Sequence, residues 1–150
     1  MENINESSSH DFELMVVISD DFCFHEELFP DELIPIVKLF EKDNGGKLRL
    51  IKIDKGRLFL HGNNESELML RLDGENYVVA RVEFEHQRCG FMKQLEKLIS
   101  LLCEKNEDKQ GIVIECVVTP EMEEYCNTHG YSIMPYHPDS FIKKLKSCNS

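Results

Sequence analysis

Between Tyr77 and Glu104 the spacing of apolar residues changes from every second position to the three- and four-residue steps of a helix. This change fixes a strand, a tight turn and a helix in direct succession. Val78, Ala80, Val82 and Phe84 alternate with Arg81, Glu83 and Glu85, the pattern of a half-buried strand over Tyr77 to Glu85. From Phe91 onward Leu95, Leu98, Ile99 and Leu102 form one apolar stripe, as on an amphipathic helix. Only His86-Gln87-Arg88-Cys89-Gly90 separates the two. The first turn of a helix has unpaired N–H donors and partial positive charge. A corner of this kind can hold a phosphate, with Gly90 permitting close approach and Arg88 adding charge.

The rest of the chain supplies elements on either side. Phe12 to Ile18 reads as a short strand behind an acidic leader, 1–11, expected to be disordered. Asp20 to Asn44 reads as helix in two pieces, broken at Pro30 and stopped by Asn44-Gly45-Gly46. Leu48 to Ile53 and Arg57 to Leu60 form a hairpin across Asp54-Lys55-Gly56. Leu68 to Leu72 and the Tyr77 strand form a second, across Asp73 to Asn76. Gly111 to Val118 is nearly continuously apolar, as expected of a central strand covered on both faces. Thr119 and Pro120 open a further helix that His129-Gly130 closes. Tyr131 to Met134 is a short strand, and Asp139 to Ser147 reads as a basic terminal helix. The order predicts a single α/β domain over 12–150, with a mixed, mostly antiparallel sheet and helices on both faces.

Charge bounds the partners. The net charge of −11 lies almost wholly in the first 45 residues, which hold 12 acidic and 2 basic side chains. The remainder is nearly balanced, so nucleic-acid binding through a basic face is disfavoured. An acidic wall attracts a cationic partner. No apolar run approaches the ~20 residues needed to cross a bilayer. The start has no basic residue and is not read as a signal or transit peptide. The six cysteines (Cys23, Cys89, Cys103, Cys116, Cys126 and Cys148) include no Cys-x-x-Cys pair. Reduced thiols in the cytoplasm are therefore expected, and no zinc site.

Two stretches resemble the GNAT superfamily of acyl-CoA-dependent N-acetyltransferases. Gln87-Arg88-Cys89-Gly90-Phe91-Met92 is similar to the family's Gln/Arg-x-x-Gly-x-Gly/Ala turn. Glu121 to Tyr131 is similar to the later helix that ends in Gly-Phe/Tyr. The likeness covers about Tyr77 to Pro135, and the earlier chain agrees in element order. It implies a GNAT-like fold and acetyl-CoA as co-substrate. The pyrophosphate would be held by backbone around Gln87, Arg88, Cys89, Gly90, Phe91 and Met92. The thioester would meet backbone groups near Phe84 and Glu85, in a cleft where this strand parts from the central one. The acceptor amine would enter over the acidic stretch Asp20 to Asp43. Three departures stand out. Met92 is bulkier than the family's Gly or Ala. Cys126 occupies the position where the family often has an acidic tyrosine. The last strand has no counterpart after Pro138.

Acetyl transfer needs a base for the amine and an acid for the departing thiolate. Glu83 is the candidate base, with Glu85 and His86 as alternatives, and Cys126 the candidate acid. Three functions follow: an acetyltransferase acting on a basic small molecule or protein, a catalytically silent binding module of the same fold, or an acidic interaction protein. The third would engage a basic protein through Asp20, Asp21, Glu26, Glu27, Asp31 and Glu32. A homodimer is compatible with each. A dinucleotide fold lacks its three glycines, and a cysteine hydrolase would need a histidine paired with Cys89 or Cys126.

Overall fold

The structure is a computed structural model that describes residues 14–16, 29–87, 89–115, 117 and 119–146. The leader, most of the first strand, the expected helix before Pro30 and Arg88 lie outside the described residues. A short 3₁₀ turn, Asp31–Leu33, leads into α1, Ile34–Asp43. Pro35 sits in its first turn, where a missing N–H is tolerated.

Among the described residues eight strands form one sheet, ordered β1-β2-β3-β4-β5-β6-β8-β7. β1 (Leu14–Val16) pairs antiparallel with β2 (Leu50–Asp54), which turns through Lys55 and Gly56, both at positive φ, into β3 (Arg57–His61). β4 (Glu67–Arg71) and β5 (Asn76–Glu83) continue the antiparallel run. α2, Phe91–Lys105, then carries the chain to β6 (Gly111–Ile114), parallel to β5. α3, Pro120–Thr128, has its first turn capped by Thr119, whose hydroxyl accepts from Met122 N. β7 (Ser132–Met134) and β8 (His137–Lys144) close the sheet. This is the expected mixed, mostly antiparallel α/β architecture.

The core lies on the sheet face that carries Ile51, Ile53, Leu58, Leu60, Leu68, Leu70, Val79, Ile112 and Ile114. α1 adds Ile36, Val37 and Phe40 and α2 adds Leu95 and Ile99, all wholly buried. α3 is tied to α2 through Glu96, whose carboxylate accepts from the Tyr125 hydroxyl and pairs with Lys143 Nζ at 2.5 Å. The opposite face is more polar: Lys52 lies over Phe59, and Arg71 reaches Glu115 at 2.6 Å. No described helix is long and apolar enough to cross a membrane.

Two expectations are corrected. The terminal segment from Asp139 is a strand, not a helix, and it supplies the last strand thought to be missing. The free edge of β6 needs a partner, and Phe141, opposite Ile114 and almost wholly buried, provides one. Tertiary pairing here overrides the helical reading of Asp139 to Ser147, of which Asp139 to Lys144 lies in β8. The alternation in β5 is also broken. Leu70 faces Val79 but Met69 faces Arg81, so Ala80 is an extra residue, a β-bulge. Before it Tyr77 and Val79 point into the core, in place of Val78 and Ala80. After it Val82 is the core-facing residue, as read.

Candidate active site

The bulge at Ala80 falls where β5 and β6 part. Their parallel ladder runs from Asn76 and Gly111 to Val79 and Ile114, with one further bond from Glu115 N to Val79 O at 2.9 Å. Beyond that point β5 pairs only with β4, while the chain after β6 turns toward β8 through Val117 N to Asp139 O. A bulge bends the strand that carries it. The result is an edge of β5, residues 80–83, with no strand on its β6 side among the described residues.

The turn after β5 is fixed from below by aromatic packing and buried hydrogen bonds. Phe84 stacks on Phe40 of α1 at 4.7 Å and on Phe91 of α2 at 5.5 Å. Asp43, at the end of α1, is wholly buried. Its carboxylate accepts from Glu85 N at 2.6 Å and His86 N at 2.9 Å. The His86 ring completes the clamp, with Nδ1 3.0 Å from Asp43 Oδ1 and 2.9 Å from Asp43 O. Gln87 folds back so that its Nε2 donates to Phe84 O at 2.7 Å and to Glu83 at 3.2 Å. The backbone groups expected to meet a thioester, Phe84 O and Glu85 N, are therefore already engaged.

Gly90 begins α2 in the left-handed region at φ 81°, with open space around its Cα. Among the described residues no side chain caps this end of the helix. Cys89 is exposed, whereas Phe91 and Met92 are half-buried against the core. Beside the corner, His61, Asn64, Glu65, Ser66, Glu67 and Glu83 line an acidic recess of about 250 Å³. Glu85 borders it, held by Asn64 Nδ2 at 3.0 Å. Glu83 thus belongs both to the recess and, through Gln87, to the turn.

Cys126 stands apart. It is wholly buried on α3, and burial, followed by the nearby Glu96 and Glu123 carboxylates, pushes its thiol up to about 12. Its neighbour Tyr125 bonds Glu96 and stacks on His129 at 3.9 Å; burial and that bond also raise its phenol. Among the described residues no hydrogen bond or ion pair joins Glu83 to this cluster: Glu83 is held by Gln87, and Cys126 lies in the core with α2. The residue that sequence reading missed is Asp43. It looked like one more acid at a helix end, and nothing local connects it to Glu85 and His86, 42 and 43 residues away.

No family profile matches the chain, and no curated protein does. Its fold is similar to that of several solved structures, all loosely superposed. One is an acetyltransferase of the GNAT family from Staphylococcus aureus Mu50, 9% identical, with a TM-score of 0.44 over 89% of this chain and 99% of that one. A second is a mutant AtaT toxin bound to the C-terminus of the antitoxin AtaR and acetyl-CoA. It is 10% identical, with a TM-score of 0.41 over 88% and 93%. A third is the KacTA–DNA complex, 13% identical, with a TM-score of 0.43 over 88% and 93%.

Proposed function

We propose that the protein transfers an acetyl group from acetyl-CoA to a basic amine in the cytoplasm. The observation that carries this reading is the parting of β5 and β6 beside an uncapped helix end led by Gly90. The pyrophosphate would lie on the N–H groups from Gln87 to Met92, with the Arg88 charge added. The pantetheine would take the place of a strand along the free edge of β5. That edge, over residues 80–83, replaces Phe84 and Glu85 as the backbone that meets the thioester, because their groups are spent on Gln87 and Asp43. The acidic recess suits a cationic acceptor, and Glu83 on its wall would take the amine proton. A neutral amine then attacks the carbonyl carbon, the C–S bond breaks, and the thiolate leaves with a proton.

The burial of Cys126, at the position where the resemblance calls for an acid, favours a second reading: a silent acyl-CoA-binding module. Calorimetric titration with acetyl-CoA separates the outcomes, with Gly90→Glu as control. Gly90 has open space around it but lies at φ 81°, so a glutamate there is strained by about 1 kcal/mol and would repel the pyrophosphate; an unchanged circular dichroism spectrum checks that the variant is folded. Micromolar binding lost in Gly90→Glu, with thiol release when a polyamine is added, is the expected result. Binding without thiol release from any basic amine would favour the silent module. No binding at millimolar acetyl-CoA would overturn both.

A further inference from the structure

Two strands that part will go on unzipping unless something stops them at a fixed point. We propose that the Arg71–Glu115 ion pair is that stop: it closes the β5–β6 seam at Val79 and sets the depth of the gap beyond it. The stop rests on the geometry of the sheet. Its use for acetyl-CoA rests on the acyl-transfer reading.

Glu115 is anchored twice at the foot of the gap. Its N–H donates to Val79 O at 2.9 Å, the last backbone bond across the seam among the described residues. Its side chain reaches away from β6 altogether. The two carboxylate oxygens accept from Arg71, Oε2 from Nη2 at 2.6 Å and Oε1 from Nη1 at 3.4 Å. Arg71 ends β4, and β5 lies between β4 and β6. Arg71, Val78 and Val113 are successive partners in register, so Arg71 and Glu115 share the sheet face opposite Val79 and Ile114. The pair therefore crosses over β5 as a strap and ties the end of β6 to β4.

Exposed ion pairs contribute little as a rule, because two long side chains must be ordered against competing water. This one has more in its favour. The guanidinium meets the carboxylate with two nitrogens, and the side chains are only 33% and 30% exposed. Arg57 stands directly opposite Arg71 on β3, a like charge that disfavours any turn of Arg71 that way. Position decides the role. The bulge at Ala80 bends β5, and the strap resists that bend at its root. Parallel pairing is the weaker kind, and this ladder has only four residue pairs to fray, from Val79 and Ile114 back to Asn76 and Gly111. With the stop in place the open edge is residues 80–83, about 13 Å at the rise of a strand. A cofactor with its pyrophosphate at the Gly90 corner brings its thioester end down toward the strap. Arg71 and Glu115 act through the backbone they hold; they are positioning residues.

Amide hydrogen exchange tests the stop with no ligand present. In Arg71→Met the Glu115 amide should lose protection about fivefold, the upper end of what a partly exposed ion pair contributes. Glu115→Gln, which keeps the size and the N–H, should show the same loss at position 115. Amides of the β2–β3 hairpin should keep their protection in both. The charge swap, Arg71→Glu with Glu115→Arg, should restore it, a rescue that a loss of packing alone would not allow. Unchanged exchange at position 115 in both single variants overturns the stop, and so does an equal loss over the whole sheet. Calorimetric titration with acetyl-CoA then tests its use. Affinity should fall by a similar factor in Arg71→Met and return in the charge swap. Wild-type affinity in Arg71→Met, with Glu115 exchanging faster, overturns control of the gap by the strap. Failure of the wild type to bind acetyl-CoA overturns the acyl-transfer reading, and the stop then stands or falls on the exchange result alone.

Discussion

Replacing Asp43 with alanine should destabilise the protein far more than replacing the histidine it holds. The carboxylate is wholly buried and receives two backbone donors, Glu85 N at 2.6 Å and His86 N at 2.9 Å. Truncation strands both donors in a partly buried turn. At about 1.5 kcal/mol for each lost bond to a charged acceptor, the cost is about 3 kcal/mol. For a chain of this length that lowers Tm by roughly 6–12 °C. Asp43→Asn keeps one acceptor oxygen and should lose about half as much. His86→Gln should lose only the exposed ring's bond to Asp43, a smaller effect than either Asp43 substitution and one confined to the acid side. The pH dependence has a definite sign. Asp43 raises the His86 pKa on folding, so the ionic contribution is present in acid and lost as pH rises through the folded value. The gap between wild type and Asp43→Ala should therefore narrow from about pH 6 to about pH 9. Urea unfolding and calorimetry at the two pH values provide the test. A loss below about 1 kcal/mol, or an equal loss for His86→Gln, would refute the claim that the buried carboxylate secures the turn.

Three further outcomes are expected. Gly111→Ala would place a Cβ 2.3 Å from Lys143 O in the neighbouring strand, where no flexible side chain can yield. It should cost ~3 kcal/mol in urea unfolding. Thr119→Ala removes the oxygen that accepts from Met122 N at 3.2 Å and should cost about 1 kcal/mol, visible as a shift in the urea midpoint at constant slope. Iodoacetamide near neutral pH should label Cys89 rapidly and leave Cys126 unmodified in the native protein, as read by peptide mass spectrometry.

Local signals made most of the sheet legible. The two hairpins follow from alternating residues around Lys55-Gly56 and Gly74, and α2 from the stripe of Leu95, Ile99 and Leu102. The Thr119-Pro120 start of α3 was equally plain, because a helix cap is written in adjacent residues. What escaped depended on distant partners. Asp139 to Lys144 has enough lysine to pass for a surface helix, and only the open edge of β6 makes it a strand. The bulge at Ala80 is invisible in β5 alone, since it is a mismatch with β4. The glycine corner was visible in sequence, but the clamp beneath it was not. Asp43, His86 and Gln87 meet only after α1 has packed against the turn.

The one parallel pairing among the described strands also bears on how the chain assembles. From β2 to β5 each strand pairs with its neighbour in sequence, so this meander closes short loops and can order early. β6 must wait for the whole of α2 to cross over, and it brings α3, β7 and β8 with it. The β5–β6 seam is therefore a natural border between two cooperative units, and it is unzipped from Ala80 onward. A molecule seated in that gap would bridge the border and bind only when both units are folded. It would then stabilise their joining by mass action, welding the later half of the chain to the earlier one.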